Sequence, residues 1–224
     1  MEKLPDFIVI GAMKSGTTSL HYYLDIHPEI SMSKVRSPDF FSNKMSWNKG
    51  IEWYKSNFTG KGKICGESSS SYTNYPLWDG VPEKMFSVVP NVKLIYILRD
   101  PIERMISHYL HYFISGKENR SISEVLSDFE SNPYICRSRY YMQLEQYIKY
   151  FSRSDILIIT SEDLNNHRHQ TLQKIFRFLG VDETFYSVKF LNRWNRSVYK
   201  RRKTEAGLRL ERSSLIKKIN RLPY

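Results

Sequence analysis

The stretch Phe7–Leu24, FIVIGAMKSGTTSLHYYL, restricts the possible folds of this chain more than any other. Its first residues, Phe7 to Ile10, form a continuous apolar run that ends at Gly11, which is typical of a buried parallel strand. Small residues at 15–18 follow, and apolar residues then recur at helical spacing. Because the first N–H groups of a helix have no intrahelical partner, the stretch predicts a strand, an anion-binding loop and a helix.

The loop differs from the phosphate loop of nucleotide kinases in the position of its lysine. The pattern G-x-x-x-x-G-K-[ST] fits Gly11, Gly16 and Thr18, but Thr17 occupies the lysine position and Lys14 supplies the cation instead. The positive charge is therefore moved away from the position that contacts the β- and γ-phosphates. A P-loop nucleotide kinase or NTPase is an alternative interpretation, as is a strand, turn and helix that bind no ligand.

Length and composition favour a single intracellular domain. The chain has 224 residues and no apolar run of transmembrane length. Its first residues lead directly into the strand without the apolar region of a signal peptide, so a cytoplasmic location is expected. The two cysteines, Cys65 and Cys136, show no metal-binding spacing. We expect both to be buried, reduced thiols and the protein to hold no metal.

The net charge of +11 is concentrated near the end of the sequence. Residues 193–221 contain eleven Lys or Arg but only two Glu. Such a field attracts anionic ligands, acidic glycans, membrane surfaces or nucleic acid. Apolar residues at helical spacing in 208–222 fit a helix that lies on a membrane or docks on the domain. A basic nucleic-acid- or membrane-binding protein is therefore the second alternative.

Strand and helix patterns alternate along the chain. Strands are predicted at 7–10, 63–66, 92–98 and 155–160, and helices follow the first strand and lie at 48–58, 79–88, 101–115, 121–130, 137–151 and 169–179. The alternation predicts a single α/β domain with a P-loop-like central parallel sheet and helices on both faces.

A second anion site is predicted where the strand at 92–98 ends. Arg99 follows the strand, Asp100 is suited to cap the next helix, and Pro101 suits its first position. Ser107 lies on the second turn of that helix. We expect Arg99 and Ser107 to converge on one anion.

These motifs occur in an order that resembles the sulfotransferases that use 3′-phosphoadenosine-5′-phosphosulfate (PAPS), specifically the heparan-sulfate-sulfotransferase-like branch with its bacterial relatives. The opening loop resembles the family's 5′-phosphosulfate loop, and LIYILRDPIERMISHYLH resembles its 3′-phosphate segment. The downstream segments SRYYMQLEQYIKYF, DILIITSEDL and FRFLGV keep the family's order, and NRSVYKRRK resembles the basic loop that closes over the cofactor.

The resemblance implies a sulfotransferase domain over residues 1–224, with a basic cofactor-closing loop and C-terminal helix at 185–224. It implies cofactor binding by Lys14, Ser15, Gly16, Thr17, Thr18, Ser19, Arg99, Ser107, Tyr140, Lys200, Arg201 and Arg202. The implied reaction transfers a sulfuryl group from PAPS to a hydroxyl or amine of a glycan, lipid or small-molecule acceptor and releases adenosine 3′,5′-bisphosphate (PAP). No metal is needed in the family, and we expect no nucleic-acid partner. The apolar stripe of the basic C-terminal helix is a candidate for peripheral membrane contact, although docking on the domain is favoured.

The chain departs from the family at two acceptor-side segments. The family's Lys-Glu-Pro-x-Phe-Phe segment, whose glutamate is the general base, corresponds to 36–41, where Ser37 replaces that glutamate. The lysine of the family's Glu-Lys-Ser segment is Ser68. Asp39, beside two phenylalanines, and Glu67, at a strand end, are therefore the candidate bases, and Asp39 is favoured. Two histidines, His108 and His111, are expected on the helix surface or near the 3′-phosphate.

Overall fold

The computed structural model describes residues 3–42, 44–58, 60–127 and 132–192. Five parallel strands form one sheet in the order β2-β3-β1-β4-β5. Their bounds are β1 Phe7–Gly11, β2 Ile30–Met32, β3 Ile64–Ser68, β4 Lys93–Leu98 and β5 Ile156–Thr160. The parallel sheet confirms the predicted α/β fold.

Helices connect the strands. Their bounds are α1 Thr17–Asp25, α2 Lys44–Trp47, α3 Gly50–Lys55, α4 Val81–Val88, α5 Pro101–Ile114, α6 Ile122–Val125, α7 Pro133–Cys136, α8 Tyr140–Tyr147, α9 Ser161–Asn166 and α10 Arg168–Leu179. Short 3₁₀ turns lie at Arg153–Asp155 and Val188–Leu191. Within the described ranges, no helix is both long and apolar enough to span a membrane.

Helices cover both faces of the sheet, as predicted. Phe7 and Val9 point into a core formed with α1 and α10. Ile8 and Ile10 point into a second, aromatic-rich core that includes residues of α3, α4 and α8. Alternate residues of β1 therefore serve opposite cores, and the entire strand is buried.

The strand order predicts a ligand site at the carboxyl end of β1. The chain builds β1, β2 and β3 on one side and then crosses over to form β4 and β5 on the other. Ligands of open α/β sheets bind where the strand order reverses, at the carboxyl ends of the strands. Here those ends carry the loop after Gly11, the segment after Ser68 and Arg99.

Two predicted helices are wrong in extent. The helix predicted at 137–151 is shorter than expected, because the chain turns at 137–139 and α8 covers only Tyr140–Tyr147. The helix predicted at 121–130 has its capping box, formed by Ser121 and Glu124, but α6 ends at Val125. Four short helices and strands were not predicted: β2, which pairs with β3 over only three residues, α2, α7, which the Asn132 side chain caps, and α9.

The expected burial of the two cysteines is confirmed. Cys65 and Cys136 are both buried, and neither forms a disulfide bond within the described ranges. At the far end of the described chain, Phe190 packs in the core and the Tyr23 hydroxyl donates to the carbonyl of Asn192. The first residues of the predicted 185–224 segment are thus part of the domain, and its remainder lies outside the described residues.

Candidate functional site

The loop between β1 and α1 is held in an unusual backbone conformation. Gly16 precedes α1 with φ 101°, and Lys14 has φ 73°, a left-handed conformation that non-glycine residues seldom adopt. The amide of Ala12 donates to Ile97 O at 2.8 Å, and that of Ser15 donates to Ala12 O at 3.1 Å. Strained residues of this kind concentrate at ligand-binding sites.

Ser15 provides a polar group that the described protein leaves without a partner. Its side chain is fully buried, and Oγ has no hydrogen bond of good geometry in the described part of the chain. Tyr140 lies beside it and donates its hydroxyl to Arg99 O at 2.7 Å. An orphan hydroxyl next to the N-terminus of α1 is the environment that an anion's oxygens would satisfy.

Arg99 joins this loop to α5. Its Nη1 donates to Lys14 O at 3.3 Å and its Nη2 pairs with Glu103 at 2.9 Å. Asp100 caps α5 by accepting from the amide of Glu103, as predicted. The structure thus brings Arg99 to the loop that carries Lys14. Ser107 is half-buried on α5, and its convergence with Arg99 on one anion stays a prediction.

The two candidate bases share a network of serine hydroxyls. Ser69 Oγ donates to Glu67 Oε2 at 2.6 Å and accepts from the Asp39 amide at 3.0 Å. Ser71 Oγ donates to Asp39 Oδ1. Ser37 Oγ donates to Ser68 O at 3.2 Å. The two segments in which the chain departs from the family therefore lie side by side in the fold.

Glu67 and Asp39 differ in accessibility. Glu67 is 0% exposed and accepts further hydrogen bonds from Tyr54 at 2.8 Å and Tyr72 at 2.7 Å. Burial raises the pKa of Glu67 to about 7, against the opposing effect of these hydroxyl donors. Asp39 is half-buried with φ 51°. Burial also raises the pKa of Asp39, and Ser71 and the Arg137 charge oppose that increase. Asp39 has the more accessible carboxylate.

Two buried arginines contact the loop, and sequence reasoning missed both. Arg104 is 0% exposed and donates from Nε to Ser138 Oγ at 2.6 Å, from Nη1 to Met13 O at 3.4 Å, and to Tyr134 O. Arg137 donates from Nε to Asn74 Oδ1 at 2.6 Å and from Nη1 to Met13 Sδ. Both guanidinium groups therefore contact Met13, the residue that precedes Lys14.

The sequence carried little signal for these contacts. Arg137 lies 124 residues from Met13 along the chain, and only the fold brings them together. Of the two placements expected for His108, the helix surface is wrong, because this side chain is buried against Tyr134 and Tyr112, and the position near the 3′-phosphate stays a prediction. Burial and neighbouring positive charges lower the pKa of His108 to about 2, so the imidazole is neutral.

Some predicted residues lie elsewhere. Lys200, Arg201 and Arg202 fall outside the described residues. A separate pocket of about 180 Å³ lies between α4 and α8, with Tyr75, Trp78 and Gln146 in its lining. None of the described candidate site residues lines that pocket.

Comparison with known proteins gives consistent matches. A family model described as "Sulfotransferase domain" matches residues 4–218. The human protein "Bifunctional heparan sulfate N-deacetylase/N-sulfotransferase 2" is 26% identical over 200 residues, which cover 80% of this chain. The match covers 22% of that protein, so this chain spans about a fifth of its length.

Solved structures share the fold. The sulfotransferase from Alicyclobacillus acidocaldarius has a TM-score of 0.73 and 27% identity, with 82% of this chain and 83% of that chain covered. The mouse sulfotransferase SULT7A1, solved in complex with PAP, has a TM-score of 0.55 at 17% identity, with 84% and 61% covered. The second likeness concerns the fold alone.

Proposed function

We propose, because the chain belongs to the sulfotransferase family, that it transfers a sulfuryl group from PAPS to a hydroxyl or amine of an acceptor. The observation that carries this proposal is the orphan Ser15 hydroxyl at the N-terminus of α1, in a loop where Thr17 replaces the kinase lysine and Arg99 contacts Lys14 O. An ATP-dependent kinase would need a lysine at Thr17 to hold the β- and γ-phosphates.

The described residues suit the two ends of the donor. Residues 15–19, at the start of α1, would hold its 5′-phosphate through N–H groups and hydroxyls. Arg99 and Ser107 would hold its 3′-phosphate, with Tyr140 beside them. Lys200, Arg201 and Arg202 would close over the donor, as the family resemblance implies.

The reaction is an in-line displacement at sulfur. A bond forms from the acceptor oxygen or nitrogen to sulfur, while the bond from sulfur to the bridging oxygen breaks and leaves its electron pair on that oxygen. Lys14 stabilises this developing charge, which is where a positioned cation lowers the barrier. The Asp39 carboxylate takes the acceptor's proton. The proposed reaction uses no metal ion.

The acceptor class stays open among glycans, lipids and small molecules. The heparan sulfate named for the human relative favours a glycan hydroxyl or amine. A cytoplasmic location and a peripheral membrane contact through the basic C-terminal segment also belong to the proposal.

An acceptor screen with PAPS labelled at its sulfur tests the proposal. N-deacetylated heparosan, glycolipid vesicles and simple phenols would be offered in parallel, with Lys14→Ala as the inactive control. Label should pass to one class with wild-type protein, and Lys14→Ala should reduce turnover by about 10²-fold. Mg²⁺-dependent release of phosphate from ATP, without transfer from PAPS, would support the kinase alternative.

A further inference from the structure

Arg137 is a buried cation that the described protein leaves without a carboxylate partner. Its side chain is 7% exposed, and it forms no ion pair in the described ranges. Its hydrogen-bond acceptors are the neutral Asn74 amide and the Met13 thioether, and the Tyr112 hydroxyl lies close to it. A guanidinium has five N–H donors, so at least two remain for a ligand.

Burying a charge without a partner lowers the stability of the fold by several kcal/mol. The buried guanidinium of Arg137 therefore indicates that a ligand brings the negative charge that pairs with it. Arg104 is also buried, but it differs in what surrounds it. Its Nε, Nη1 and Nη2 atoms all donate to described protein acceptors, two of them backbone carbonyls. Arg104 is thus a support of the loop, whereas Arg137 still has donors to offer.

The position of Arg137 identifies which part of a ligand it meets. It contacts Met13, the residue before Lys14. It also attracts the Asp39 carboxylate, over a distance longer than an ion pair. Lys14 serves the leaving oxygen and Asp39 serves the acceptor in the proposed reaction. The group that lies between those two is the one being transferred.

We propose that the Arg137 guanidinium is a second cation of the transfer site and binds the sulfuryl oxygens of PAPS. This inference rests on the proposed function. Arg137 lies in the turn between α7 and α8, an element separate from both the phosphate loop and the Arg99 segment. The family has a lysine on the acceptor side, and Ser68 replaces it in this chain. The charge of Arg137, which comes from another element, supplies a cation on that side.

A comparison of PAPS with PAP isolates this contact, because the two differ only in the sulfuryl group. Dissociation constants of both would be measured by calorimetry, without acceptor, for wild type and Arg137→Gln. We expect PAPS affinity to fall about 10- to 100-fold, as for a lost hydrogen bond to a charged group, while PAP affinity changes less than about twofold.

Two further variants serve as controls for the charge and the position of Arg137. Arg137→Lys retains the charge inside the fold but lacks the fork geometry, so it should weaken PAPS about 5- to 10-fold and leave PAP unchanged. Arg139→Gln removes an equal charge from an exposed position two residues away and should change neither affinity. Thermal unfolding of each variant checks its folding, and Arg137→Lys carries the test if Arg137→Gln does not fold.

The outcomes separate this inference from the proposed function. Equal losses for PAPS and PAP would make Arg137 a support of the loop, and unchanged affinities would remove it from the site. Either result overturns the inference about Arg137, whereas PAP binding by the wild-type protein would still support the proposed sulfotransferase function. Failure of wild type to bind PAPS and PAP would instead contradict the proposed function itself.

Discussion

Asp39 and Glu67 are joined through Ser69, yet their environments assign them different roles. The Glu67 carboxylate is fully buried and accepts three hydroxyl hydrogen bonds, whereas Asp39 is half-buried and accepts one from Ser71. A general base must come within hydrogen-bond reach of the acceptor's proton. We therefore infer that Asp39 is the base and that Glu67 positions the serine network beneath it.

The comparison of Asp39→Asn with Glu67→Gln tests this assignment. With the acceptor found in the screen and at saturating PAPS, Asp39→Asn should lose about 10²-fold or more in turnover. Glu67→Gln keeps one oxygen that can accept from both tyrosine hydroxyls, while its NH2 group can only donate to Ser69, and it should lose less than about tenfold. PAP binding serves as the control for both. The assignment is wrong if Glu67→Gln loses the larger factor while Asp39→Asn stays within about threefold of wild type.

The buried carboxyl of Glu67 should also make the free energy of unfolding depend on pH. Because the pKa of Glu67 rises from 4.5 to about 7 on folding, the unfolded chain releases this proton first as pH increases. The contribution of Glu67 to the free energy of unfolding therefore falls between about pH 4.5 and 7, by about 3 kcal/mol in total.

Urea unfolding at pH 5 and pH 8 measures this effect. The loss of stability from pH 5 to pH 8 should be smaller in Glu67→Gln than in wild type by about 2 to 3 kcal/mol. The exposed Glu52→Gln variant should behave as wild type. An identical loss in Glu67→Gln and wild type would mean that Glu67 is ionised throughout this pH range.

Single-residue contacts show what the sequence could not reveal about the site. Lys14 and Arg99 were predictable because each follows a strand whose apolar run is clear. The roles of Arg104 and Arg137 were not, because their contacts with Met13 depend on how distant segments pack. Ser37 and Ser68 replace family residues, and the sequence therefore indicated that the acceptor-binding side is changed. It did not indicate that Ser37 and Ser68 are joined by one hydrogen bond.

At the level of elements, strong local patterns predicted the structure well. β1, β4 and β5 are apolar runs, and α10 ends at Gly180 in the left-handed conformation expected of its cap. β2 could not be predicted, because its three residues are a strand only through pairing with β3. The start of α8 at Tyr140, later than predicted, likewise coincides with a tertiary contact in the preceding turn, in which Arg104 donates to Ser138.

The turn into α1 yields a prediction at this scale. Gly16 has φ 101° and Gly180 has φ 75°, so alanine at either position is strained by roughly 1 kcal/mol. Gly16→Ala and Gly180→Ala should therefore lose similar stability in urea. Only Gly16→Ala should weaken PAP, by about tenfold, because it shifts the first N–H groups of α1. Equal PAP affinity in both variants would contradict an anion site at α1.

At the level of the whole molecule, the strand order decides where the site lies. β1 is central, and the crossover to β4 places the phosphate loop, the serine network and Arg99 at the carboxyl edge of neighbouring strands. The alternation of strands and helices predicted the parallel sheet and its two covered faces. It did not predict which strands are neighbours, because that order depends on packing across the entire chain.

The uneven charge of the molecule gives a prediction about capture of the donor. Replacing Arg201, Arg202 and Lys203 with Gln should weaken PAPS binding at low salt and flatten its salt dependence. Exposed charges act over a Debye length of about 8 Å at physiological ionic strength and over longer distances in dilute salt. Binding that is unchanged at low salt would show that these residues take no part in capture.

The most direct measurement of the central claim is calorimetric titration of the wild-type protein with PAP and with ADP, both without Mg²⁺. ADP lacks the 3′-phosphate assigned to Arg99 and Ser107, and a buried charge-assisted contact is worth about 2 to 3 kcal/mol. The account predicts that PAP binds about 30- to 150-fold more tightly than ADP. Equal affinity for the two nucleotides, or binding that requires Mg²⁺, would contradict it.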